Sequence, residues 1–248
     1  MPQPQPIWAF CAAEIAAFPE GYYRAAKVRP EYSTKRELRE FCSGLSEILV
    51  YQAGRRFAPV GGRLEIDTKS ELESASIDIR EALEAGKCPD FDAFWAHLER
   101  TFSGDAGQRV AFTQAAKSVI NGFGLTPDSE IKRTASAIVL EARAGSELTF
   151  RSSLRRVGYY SQQSMANLIA GLAAFASHAG FASLGAQLAR GGLVDHEFTT
   201  REKVSFPDLD LVLFNDKWQF KFSHRVGEAL SLFISEYGAE HLASRSRY

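Results

Sequence analysis

Between Asp208 and Ser223 the chain alternates more strictly than anywhere else. Leu209, Leu211 and Leu213 interleave with Asp208, Asp210 and Val212, and Trp218, Phe220 and Phe222 interleave with Lys217, Gln219, Lys221 and Ser223. A period of two sends successive side chains to opposite faces of a strand, so each run has one face to bury and one to wet. Asn215-Asp216 suits a two-residue turn between them, because both residues tolerate positive φ. That turn sets a register. Leu213 falls opposite Trp218, Leu211 opposite Phe220 and Leu209 opposite Phe222 on the buried face. Val212 falls opposite Gln219, Asp210 opposite Lys221 and Asp208 opposite Ser223 on the other face. Upstream, His196 to Phe206 is rich in β-branched and aromatic residues (Phe198, Thr199, Thr200, Val204, Phe206) until Pro207 interrupts it. A three-strand antiparallel meander over about residues 196–223 is therefore expected, with Arg225 to Leu242 as a closing helix.

The rest of the chain is punctuated as helices. Trp8 to Phe18 reads as a short amphipathic helix stopped by Pro19. Thr34 with Glu37 is a capping-box pattern, and the stripe Leu38, Phe41, Leu45, Ile48 and Leu49 follows at helical spacing. Gly54 to Asp67 breaks that pattern, with Arg63 to Asp67 as a short strand. Thr68 with Glu71 opens a helix that Gly86 ends. Pro89-Asp90 opens another, carrying Phe91, Phe94, Trp95, Leu98 and Phe102. Gln108 to Phe123 closes at Gly124. Thr126-Pro127 starts a helix that ends near Gly145, since proline at the first helical position gives up an N–H that has no partner there. Leu148 to Gly158 fits neither period. Tyr159 to His178 and Phe181 to Arg190 are two more helices divided by Gly180. The expected fold is α+β and predominantly helical: a multi-helix bundle with a small C-terminal antiparallel β-meander (about residues 196–223) and a closing helix. It is read as a single domain over 1–248, with a soft boundary near residue 194.

Composition bounds the function classes. The chain has 248 residues, 45% of them hydrophobic and 24% charged, so it can bury a substantial core and is not expected to be disordered. The formal net charge of -1 gives no whole-molecule field toward nucleic acid or an anionic membrane, leaving only local patches. Cys11, Cys42 and Cys88 are odd in number and never spaced as C-x-x-C, the pattern of reduced thiols in a reducing, cytoplasmic setting. The N-terminal residues lack the positive region of a signal peptide. The most apolar stretch, Met165 to Ala176, is too short for a span, which needs about 20 residues. No membrane partner is expected.

Two readings stand for the polar face of the hairpin. In one, Asp210 and Lys221 form a cross-strand ion pair worth about 0.2–1 kcal/mol. In the other they are catalytic: Pro207-Asp208 followed by Gln219-Phe220-Lys221 resembles the signature of the PD-(D/E)XK nuclease family. The resemblance implies that Asp208, Asp210, Gln219 and Lys221 face a common site, where carboxylates hold a divalent ion such as magnesium and the lysine helps to activate water. Gln219 stands where the family has Asp or Glu. Outside that reading no cofactor and no metal is expected. His97, His178, His196, His224 and His241 show no i, i+4 pair, and neither G-x-G-x-x-G nor a P-loop occurs.

A basic and aromatic cluster lies upstream. Arg151, Arg155 and Arg156 precede Tyr159 and Tyr160, and Lys132 and Arg133 extend the group. Arginine with aromatics suits a phosphate backbone and stacked bases; the alternative is a solvated helix face balanced by Glu141 and Glu147. Ala166, Ala170, Gly171 and Ala174 form a small-residue seam that allows a close helix pair inside the chain or an interface with a protein partner or second copy. The functional expectation is a non-enzymatic interaction protein, a subunit of a nucleic-acid-handling complex, with the metal-dependent nuclease as the alternative.

Overall fold

The computed structural model describes residues 34–59, 61–150, 153–190 and 192–245, with the side chains of residues 34 and 35 set aside. The expected helix Trp8 to Phe18, Cys11, the Thr34 cap and Arg151 lie outside what is described. The chain divides into two compact units, Met1–Phe57 with Glu65–Gly104, and Ala58–Leu64 with Asp105–Tyr248. Among the described residues no helix is long and apolar enough to cross a membrane.

The first unit is helical: α1 (Thr34–Phe57), α2 (Thr68–Ser74), α3 (Ile79–Glu84) and α4 (Phe91–Phe102). The α1 stripe buries Phe41, Cys42, Leu45 and Ile48, with Leu38, Ile79, Leu83 and Phe91 packed around them. Helix α1 continues through Gly54, because one helical glycine costs only about 1 kcal/mol and the buried stripe persists through Val50 and Ala53. Residues 63–67 form no strand, and no partner strand lies alongside them among the described residues. Aspartates cap the next three helices: Asp67, Asp78 and Asp90 accept from the backbone N–H of Ser70, Glu81 and Ala93 at 2.7, 3.0 and 2.8 Å. The single helix expected from Thr68 to Gly86 is two, because Ser76 takes φ 57° and Asp78 starts a new helix. Gly86, at φ 69°, ends it as expected.

The second unit sets helices against a sheet. Its helices are α5 (Asp105–Phe123), α6 (Tyr159–His178), α7 (Ala182–Ala189), α8 (His224–Tyr237) and α9 (Ala239–Ser244). Its strands are β1 (Lys132–Arg133), β2 (Ile138–Arg143), β3 (Ser146–Leu148), β4 (Arg155–Val157), β5 (Glu202–Phe206), β6 (Leu209–Leu213) and β7 (Lys217–Phe222). Five of them form an antiparallel sheet in the order β1-β2-β7-β6-β5, and β3 pairs with β4 separately. The β6–β7 register is the expected one at every pair from Leu209 with Phe222 to Leu213 with Trp218. The Ser223 N–H closes onto the Asp208 carbonyl at 2.9 Å.

The sheet is larger than the expected meander. The helix expected from Thr126 to Gly145 is instead a turn, in which Ser129 N–H bonds the Thr126 carbonyl at 3.0 Å, followed by strands β1 and β2. Ile138, Val139 and Leu140 are buried in succession, so β2 carries no alternation to betray it. Of the ambiguous stretch from Leu148 to Gly158, Arg155–Val157 form β4 and pair with β3. Positive φ falls not at Asn215 or Asp216 but at Asp208, at 61°, directly after Pro207 in the β5–β6 turn. The face formed by Leu209, Leu211, Leu213, Trp218, Phe220 and Phe222 is buried in one core with α5, α6 and α8. On α8, a Cβ at Gly227 would stand 2.6 Å from Ile138 Cδ1, so only glycine permits this close seat on β2.

Candidate nucleic-acid interface

The polar face of the sheet is fixed by the same alternation that buries the other. Lys203 and Ser205 on β5, Asp210 and Val212 on β6, Lys217, Gln219 and Lys221 on β7, and Val139, Glu141 and Arg143 on β2 project from it, joined by Lys132 opposite Val139. Most of these side chains are exposed or half-buried; Val139 is buried. The face carries the cations Lys132, Arg143, Lys203, Lys217 and Lys221 against the carboxylates Glu141 and Asp210.

The two carboxylates are each committed to a lysine. Glu141 accepts from Lys217 Nζ at 2.7 Å and from Gln219 Nε2 at 3.0 Å. The Lys217 hydrogen bond, aided by Gln219, holds the Glu141 carboxyl below its ordinary range against the opposing effect of burial, and Glu141 in turn raises Lys217. Asp210 takes Lys203 Nζ at 2.8 Å and Ser205 Oγ at 2.7 Å, and those two bonds, Lys203 foremost, lower its pKa. Lys132, Arg143 and Lys221 make no direct ion pair among the described residues.

Asp210 and Lys221 thus sit opposite each other as the alternation requires, but the closer partner of Asp210 is Lys203 on the other neighbouring strand. Asp208 lies in the turn, with Arg225 Nη2 at 3.8 Å. Gln219, on the strand next to Asp210, turns its amide the other way to Glu141 on β2. Asp210, Gln219 and Lys221 thus share the polar face, with Asp210 and Gln219 each bound to another partner, and among the described residues no three His, Cys, Asp or Glu side chains gather round one cation position.

The arginine and tyrosine cluster separates into parts. Arg155 is a structural residue: its Nε donates to Ser146 Oγ at 2.8 Å and its Nη2 to the Ser146 carbonyl at 3.0 Å, tying β4 to β3. Arg156 pairs with Glu147 at 3.1 Å, the balance foreseen for a solvated face, although on a hairpin rather than a helix. Lys132 and Arg133 lie by the start of β2, whereas β3 and β4 follow its far end, so the two groups are not one patch. Tyr159 and Tyr160 open α6 with their side chains in solvent, 74% and 97% exposed, their ring centroids 5.6 Å apart. Of the small-residue seam, Gly171 and Ala174 are buried inside the chain, while Ala166 and Ala170 are exposed. A Cβ at Gly171 would meet the Ala115 carbonyl at 2.8 Å, so this position serves the α5–α6 contact and is closed to another subunit.

A cavity of about 860 Å³ opens beside Glu141, Arg143 and Lys217 of this face. It is lined by Asn121 to Gly124 at the end of α5, Glu141, Ala142 and Arg143 on β2, Ser164, Asp216 and Lys217. Ser164 stands one helical turn beyond Tyr160, on the same side of α6. Sequence reasoning missed Glu141 and Arg143 as members of this face because it placed them on a helix. Lys203 was visible in the alternation of residues 202–206, and Lys217 in that of residues 217–223. Comparison of the chain with family models, curated proteins and solved structures finds no match.

Proposed function

We propose that this protein is a non-enzymatic nucleic-acid-binding subunit that lays single-stranded nucleic acid along the polar face of its five-stranded sheet. The observation that carries the reading is the composition of that face. Its carboxylates are already neutralised by Lys217 and Lys203, while Lys132, Arg143 and Lys221 remain for phosphates. Phosphate contacts from lysine and arginine supply sequence-independent affinity. The exposed Tyr159 and Tyr160 at the start of α6 offer stacking surfaces that any base can use. Bases free to stack on tyrosine are those of a single strand, which favours it over a duplex.

Fluorescence anisotropy with a labelled single-stranded oligonucleotide at low salt tests this. Binding is expected, with Lys132→Glu/Lys221→Glu weakening it at least tenfold and Tyr160→Ala costing about 1–3 kcal/mol per lost stacked base. Arg155→Ala is expected to lower stability rather than affinity. No binding at low salt by the folded chain contradicts the reading, as does equal binding by the charge-reversed variant.

A further inference from the structure

The outer edge of β2 carries a notch that is closed at both ends. At one end Val139 pairs with Lys132 of β1, and beyond the other the Gly158 N–H bonds the Gly145 carbonyl at 2.8 Å. Ala144 N–H bonds the Asp216 carbonyl at 3.0 Å, so Ala142 and Leu140 turn their backbone toward β7. By alternation the N–H and C=O of Glu141 and Arg143 point outward, and no backbone group among the described residues meets them. Two residues are too few to dock another strand, but they suit one compact ligand. The cavity of about 860 Å³ lies at this notch, where Glu141, Ala142 and Arg143 meet the end of α5 and Ser164 of α6. That volume falls within the range of small-molecule pockets, about 300–1,000 Å³. The polar groups lining it divide by what is still free. Glu141 is held by Lys217 and Gln219. Asn121 Oδ1 accepts from Arg245 Nη1 and bonds His241 Nε2, which fixes the amide and leaves its Nδ2 to donate elsewhere. Arg143 and Asp216 make no ion pair among the described residues. Phe123, packed edge-on against Phe220 with ring centroids 5.2 Å apart, gives the cavity an apolar wall.

We propose that this cavity seats one ribonucleotide. Each nucleobase carries a hydrogen-bond donor beside an acceptor on its pairing edge, and the outward N–H and C=O of Glu141 and Arg143 are their complement. Asn121 Nδ2 adds a donor for the base. The Arg143 guanidinium takes the phosphate with charge-assisted bonds. The free carboxylate of Asp216 accepts from the ribose hydroxyls, which is where RNA differs from DNA. The set fits this ligand better than its parts: phosphate alone would face Asp216 with nothing to offer it, and a sugar alone would leave Arg143 unused. Because the backbone meets every base, the seat selects ribose and phosphate rather than sequence. The same chemistry comes from a nucleotide of a bound RNA strand or from a free one, and the first source rests on the strand-binding reading.

Isothermal titration of the full chain with AMP, dAMP and inorganic phosphate at low salt tests the seat. Saturable binding of AMP is expected, tighter than that of dAMP, with phosphate a poor competitor. Ser164 is exposed on α6, so Ser164→Trp is expected to fold, fill the cavity and abolish binding. Arg143→Ala is expected to weaken AMP about tenfold or more and to leave adenosine nearly unaffected. Asp216→Ala is expected to erase the preference for AMP over dAMP. Should Ser164→Trp not fold by circular dichroism, Arg143→Ala and Asp216→Ala carry the test. The proposal is overturned by no saturable binding of AMP, by AMP binding that these variants leave unchanged, by dAMP binding as well as AMP, or by phosphate competing as well as AMP. Anisotropy with a labelled RNA oligonucleotide then separates the sources. Displacement of the RNA by AMP supports a seat for a nucleotide of the strand. AMP binding without any RNA binding supports a seat for a free nucleotide and removes only the strand-binding reading. RNA binding without AMP binding, unaltered in Ser164→Trp, overturns the seat and leaves that reading standing.

Discussion

Trp218 shows how one residue can be both anchor and liability. It is wholly buried beside Phe198, with ring centroids 6.2 Å apart, yet its indole N–H has no acceptor among the described residues. Removing the ring should cost about 3–5 kcal/mol for Trp218→Ala, whereas Trp218→Phe keeps most of the volume, deletes the orphan donor and should cost under about 1.5 kcal/mol. Urea unfolding of the two variants checks this, and equal losses would contradict it. Glu141 and Asp210 give a pH signature. Both carboxyls lie below their ordinary range in the folded chain, so near pH 4 the unfolded chain binds more protons. Their contribution is complete above about pH 5 and is lost as pH falls through the unfolded and then the lower folded values. Because their side chains are 42% and 39% exposed, the effect is modest. Urea melts between about pH 5 and 3 should show a shallower acid loss in Glu141→Gln/Asp210→Asn; an unchanged acid limb would contradict the pairing with Lys217 and Lys203.

At the scale of elements, the chain signals its boundaries through short side chains. The Asp90 cap of α4 is expected to contribute about 1 kcal/mol, so Asp90→Ala should lower thermal stability and Asp90→Asn should largely restore it. Equal melting of all three proteins would show that the cap has no such effect. The β6–β7 hairpin was legible to the residue because one of its faces is wholly apolar, and a one-residue slip would turn Trp218, Phe220 and Phe222 into water. The turn itself was read for the wrong reason: Asn215 and Asp216 avoid positive φ, and the register comes from the face. β2 was illegible because a strand packed on both sides, as at Ile138 to Leu140, loses its period. Thr126-Pro127 also imitates a helix start in what is a tight turn. Arg155 misled in another way, since nothing in its neighbours announces that Ser146 claims the guanidinium.

For the whole molecule, a net charge of -1 hides a sheet face on which cations outnumber carboxylates, so the bulk value says little about what the protein meets. The nuclease resemblance and the binding reading use the same strands. They differ in what they ask of the carboxylates: Asp210 and Glu141 are held by Lys203 and Lys217, and Asp208 lies near Arg225, while Lys132, Arg143 and Lys221 make no ion pair among the described residues. Magnesium added to the bound oligonucleotide is therefore expected to leave it intact, as gel analysis would show. The most direct test of the account is the salt dependence of single-strand binding. Each phosphate contact contributes about 0.7 to the slope of log affinity against log salt, so the parent should show a slope near -2 or steeper, and Lys132→Ala/Lys221→Ala should flatten it by about 1.4. A slope that the double variant leaves unchanged would place the nucleic acid elsewhere and contradict the central claim.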